Sequence, residues 1–84
     1  MVSACVLVRS QRGTYDEVVD KIKQLKGVNR AFAVLGRFDV VADVEAEDDS
    51  ALADLILRMG KLAGVIFTET LVQIQYKGEY NHID

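Results

Sequence analysis

The chain contains no proline and no tract of glycine or serine, so nothing in its 84 residues reads as a linker. It has one cysteine, Cys5, which excludes an intrachain disulfide and fits a reducing compartment. Its uninterrupted apolar runs fall far short of a membrane span. Arg9 and Arg12 interrupt the N-terminal layout that a signal peptide needs, so a cytoplasmic location away from membranes is expected. Basic charge is scarce: 10 Lys and Arg against 13 Asp and Glu leave a net charge of −3. A dedicated nucleic-acid surface normally carries a clustered basic stripe. Here Lys21, Lys23 and Lys26 gather at a predicted helix end, where they complement the helix dipole, so no direct nucleic-acid contact is expected.

Catalytic and metal-binding patterns are also missing. The single histidine, His82, stands in the tail 77–84, where Glu79, His82 and Asp84 form no preorganised ligand set. Cys5 lies mid-strand with no histidine near it in sequence, which predicts a small buried hydrophobe rather than a nucleophile. The first loop, Ser10-Gln11-Arg12-Gly13, lacks paired cysteines, and phosphate-cradling Gly-rich loops are absent. Base-stacking aromatics are missing from the first strand, and the third offers only Phe38 at its edge. No cofactor or metal is therefore expected, and no enzyme chemistry.

What is present is a doubled pattern in a chain that is 50% apolar, ample for one globular domain with a thin core. Tyr15, Val18, Val19, Ile22 and Leu25 sit at offsets 0, 3, 4, 7 and 10, one face of a helix. Leu52, Leu55, Ile56, Met59 and Leu62 repeat those offsets 37 positions later. Both helices close alike, in Leu25-Lys26-Gly27-Val28 and Leu62-Ala63-Gly64-Val65. Thr14 with Glu17 reads as a capping box, and Asp48, Asp49 and Ser50 offer the second helix an N-cap. Strands are predicted at 3–9, 28–35, 38–46 and 65–76. The order βαββαβ with right-handed crossovers predicts a ferredoxin-like α+β sandwich, a four-stranded antiparallel sheet with both helices on one face.

The other sheet face is not polar enough for solvent. In the first strand Cys5 and Leu7 oppose Ala4, Val6 and Val8, and the last strand is likewise apolar on both parities. A homodimer built sheet to sheet, a dimeric α+β barrel, is the expected remedy. Between the two halves lies Gly36-Arg37-Phe38-Asp39, a turn with more chemistry than a connection requires. Asp43 and Glu45 share the parity of Asp39 and read as solvating or interface residues. Thr68 and Thr70 share one parity of the last strand.

The turn Gly36-Arg37-Phe38-Asp39-Val40-Val41, with Thr68-Glu69-Thr70-Leu71-Val72 after a Gly-Val strand start, resembles the effector-binding (RAM) module of the Lrp/AsnC transcriptional regulators. The resemblance covers about residues 2–76, so 1–76 is expected to be one ligand-binding domain and 77–84 a tail. Family regulators place a helix-turn-helix domain before this module. Here Met1 opens almost directly on the first strand, so the chain is similar to stand-alone RAM proteins. The resemblance implies dimers assembling into octamer-like rings, a small amino acid held between dimers, and the option of co-assembly with a full-length regulator. It implies that Gly36 admits the ligand to the backbone and that Asp39 pairs with its α-ammonium. Arg37 either reaches a carboxylate or stands as a solvated turn residue. Phe38 either belongs to the site or packs in the core with Val40, Ala42 and Val44. Thr68 and Thr70 are implied as further polar contacts. The alternatives to this sensing role are a small dimeric α+β barrel enzyme, monooxygenase- or isomerase-like, and a purely structural oligomerisation domain. The absence of tryptophan and the terminal position of His82 argue against the enzyme.

Overall fold

The computed structural model describes residues 1–74; residues 75–84 fall outside that description. The elements are β1 (Val2–Ser10), α1 (Tyr15–Lys23), β2 (Val28–Ala33), β3 (Val40–Ala46), α2 (Asp49–Gly60) and β4 (Val65–Val72). β1 pairs antiparallel with both β3 and β4, and β2 pairs with β3, giving the order β2-β3-β1-β4. This is the βαββαβ ferredoxin-like sandwich, with β1 and β3 at its centre.

Strand side chains alternate between faces, so one parity of the central strands meets the helices. Ala4, Val6 and Val8 of β1 and Val40, Ala42 and Val44 of β3 are buried, joined by Ala31 of β2. Val18 and Ile22 of α1 and Leu52, Leu55 and Met59 of α2 close over them in one cluster. Each fully buried side chain of this size contributes about 1.5–3 kcal/mol, so the helices are held mainly by this stripe. Tyr15, expected on the same stripe, is 46% exposed. As the first residue of α1 it precedes the turn that reaches the sheet, and the contact begins at Val18.

The duplicated helix ends are structurally alike. Gln24 and Lys61 donate to carbonyls three residues back, as do Leu25 and Leu62, and Val28 and Val65. Gly27 and Gly64 follow with φ of 102° and 96°, a conformation that side chains disfavour. The Gly27 carbonyl then accepts from the Glu45 N–H at 2.8 Å, and the Gly64 carbonyl from the Gln11 N–H at 2.7 Å. Each glycine thus ties a helix end to another part of the fold.

The helix starts differ. Asp48, in extended conformation, caps α2 by accepting from the Ala51 N–H at 2.8 Å. Thr14 makes no side-chain cap bond. Its hydroxyl donates instead to the Gln11 carbonyl at 2.8 Å, because the turn Gln11–Thr14 brings that acceptor closer than the helix amides. The capping box is therefore not formed. Strand limits also differ: β2 stops at Ala33 and β3 starts at Val40, because the chain between them bends away from the sheet. β4 ends at Val72, although the Gln73 N–H still reaches the Ser3 carbonyl at 2.8 Å.

The opposite sheet face has no helix over it. Cys5, Leu7, Phe32 and Val41 are half-buried there, and Phe67 and Leu71 are half exposed. Asp43 stands directly across from Cys5 and pairs with Arg30 at 3.2 Å. The Arg30 guanidinium also lies 4.7 Å from the centre of the Phe32 ring. Cys5 is thus not a core residue: its parity places it on this open face. Desolvation pushes its thiol above the ordinary range, and the Asp43 carboxylate adds to the shift.

Gly27→Ala would set a methyl 2.9 Å from the Glu45 carbonyl oxygen and 3.2 Å from the Leu55 side chain. Urea unfolding at fixed protein concentration should show a loss of at least about 1–3 kcal/mol. Gly60→Ala, in a helix with nothing within 4 Å, should instead gain roughly 0.5–1 kcal/mol. For Cys5, the thiolate is the reactive form, and Asp43→Asn removes the charge that opposes it while freeing Arg30. The midpoint of the pH profile for alkylation should move to lower pH in that variant, and an unmoved midpoint would contradict the assigned coupling.

Candidate functional site

The β2–β3 connection is longer than a tight hairpin. The Val34 N–H donates to the Asp39 carbonyl at 2.9 Å, closing a loop of four residues, Leu35 to Phe38. Leu35 at its tip is fully exposed, and Gly36 and Arg37 are exposed beside it. Gly36 has φ 158°, and no atom stands within 4 Å of where a side chain would begin. The loop presents bare backbone to its surroundings.

β1 braces the second half of this loop, from Arg37 to Asp39. The Asp39 N–H donates to the Val8 carbonyl at 2.9 Å, extending the β1–β3 ladder past the Val8–Val40 pair. One Asp39 carboxylate oxygen, Oδ2, accepts from the Ser10 N–H at 2.9 Å. It fills the position that β3 backbone would have supplied had the strand continued. Arg9, on the open face, donates from its guanidinium to the Arg37 carbonyl. Among the described residues neither Arg9 nor Arg37 has a carboxylate within 4 Å.

Phe38 leaves the core. Its ring meets Phe67 of β4 edge to face, with centroids 6.0 Å apart and planes at 77°. Phe67 pairs directly with Arg9, so Phe38 of the loop, Arg9 of β1 and Phe67 of β4 gather at one end of the open face. The alternative that put Phe38 beside Val40, Ala42 and Val44 is thereby corrected. Those three alternate toward the helices, whereas Phe38 precedes the strand and follows the bend of the loop.

Of the residues singled out in the sequence, Gly36, Arg37, Phe38 and Asp39 stand together. Thr68 and Thr70 do not join them. They pair with Val8 and Val6, and directly opposed residues share a face, so both threonines point toward the helix layer. Their side chains are half-buried there, with β1 between them and the loop. Arg9, Ser10 and Phe67 were missed. The faint signal for them was register: a cross-strand neighbour of Asp39 must come from the end of β1, and Phe67 is the aromatic that β4 offers there.

Two clefts open elsewhere. One of about 480 Å³ lies between α2 and the α1–β2 connection, lined by Lys26, Glu45, Glu47, Asp54 and Arg58 among others. The second, about 300 Å³, lies near Cys5, Asn29 and Asp43. Neither includes a loop residue, and the exposed tip of the loop stands out as a lip. Among the described residues, no cluster of three His, Cys, Asp or Glu could hold a metal ion, and no helix is long and apolar enough to cross a membrane. The residues Glu79, His82 and Asp84 lie outside the described part.

The chain was compared with known proteins. No match was found among curated proteins. Among solved structures it is similar to TTHA0845 from Thermus thermophilus, with 30% identity and a TM-score of 0.86. That match covers 94% of this chain and all of the other. FFRP-DM1 is 28% identical with a TM-score of 0.84, over 88% of this chain and all of that one. AsnC of E. coli shares the fold at 18% identity and a TM-score of 0.83; the match spans 96% of this chain and 56% of AsnC. The family model described as the Lrp/AsnC ligand binding domain matches residues 3–80. With nearly its whole length inside that match, and with the βαββαβ sheet and the braced Gly36–Asp39 loop, the chain belongs to the Lrp/AsnC ligand-binding domain family.

Proposed function

We propose that this regulatory ligand-binding domain senses an α-amino acid without catalysing a reaction, and that the Gly36–Asp39 loop is its ligand lip. The observation that carries this reading is the bracing of the loop. Arg9 and the Ser10 N–H hold the loop at Arg37 and Asp39, while Gly36 before them has no atom within 4 Å of where a side chain would begin. Preorganised backbone with an adjacent carboxylate suits an ammonium ligand. Asp39 keeps its second oxygen, Oδ1, free of protein partners among the described residues. The lip needs an opposing wall, which a neighbouring subunit would supply. Thr68 and Thr70 enter this proposal only as contacts offered to a neighbour, since in their own chain they face away from the loop.

The open sheet face supports the assembly part of the reading. Leu7, Val41, Phe32 and Leu71 form an apolar surface that a second sheet would cover, giving a dimer; lips meeting between dimers would give a larger, octamer-like ring. Mixed assembly with a DNA-binding regulator of the same family would then carry the amino-acid signal to transcription.

Calorimetry against the twenty amino acids tests the lip. Asp39→Asn keeps an acceptor for the Ser10 N–H but removes the charge, so affinity should fall roughly 10- to 100-fold while the fold persists. Equal affinity in the variant would end the role given to Asp39. For the dimer, Leu71→Glu places a charge on the open face at a position 51% exposed in the single chain. Light scattering should report a reduced mass with unchanged circular dichroism; an unaltered assembly would mean that the sheets do not meet there.

A further inference from the structure

No further inference is drawn: the strongest candidate, the cleft of about 480 Å³ between α2 and the α1–β2 connection, is lined by exposed side chains of both charges, and nothing in the structure shows what it holds.

Discussion

Everything in this fold depends on one constraint: a strand presents alternate side chains to opposite faces, and two helices cover only one of them. β1 is apolar on both parities and β3 adds Val41 to the second, so the helix layer uses Ala4, Val6, Val8, Val40, Ala42 and Val44 and leaves Cys5, Leu7 and Val41 uncovered. The single chain is complete on one side and unfinished on the other. The loop between the halves belongs to the unfinished side, because Phe38 and Arg9 turn toward it.

That placement joins two properties usually treated apart. The open face calls for another subunit, and the loop at its end calls for an opposing wall. A ligand held at the lip would therefore touch the contact between subunits, and its binding energy would be coupled to assembly. The ladder extension at Asp39 matters here, since the same carboxylate that would meet the ligand also holds the loop to β1. A residue with both tasks sits where ligand and scaffold can influence each other.

The fold was largely legible in the sequence. The repeated offsets of the two helices and their glycine ends at 27 and 64 announced two similar halves, and the structure reproduces the match down to the bonds that close each helix. Less legible were features set by a single competing contact. Thr14 had the sequence of a cap, but a nearby carbonyl captured its hydroxyl. Phe38 fitted the alternation of the strand that follows it, yet the loop carries it to Phe67. Within the candidate site, the contiguous residues 36–39 could be read directly. Arg9 and Phe67 could not, because they reach the loop through strand register, which pairs residues 28 and more positions apart. Thr68 and Thr70 show the converse: the motif that marks them as notable does not say which face they take, and the pairing with β1 turns them toward the helices.

The central claim is that the ligand sits at the Gly36–Asp39 lip against a second subunit. A crystal structure of the chain soaked with mixed amino acids tests it most directly. The account predicts ligand density with its ammonium at Asp39, enclosed by a neighbouring subunit. Density confined to the cleft between α2 and the α1–β2 connection, or lying between helices and sheet of one chain, would contradict it.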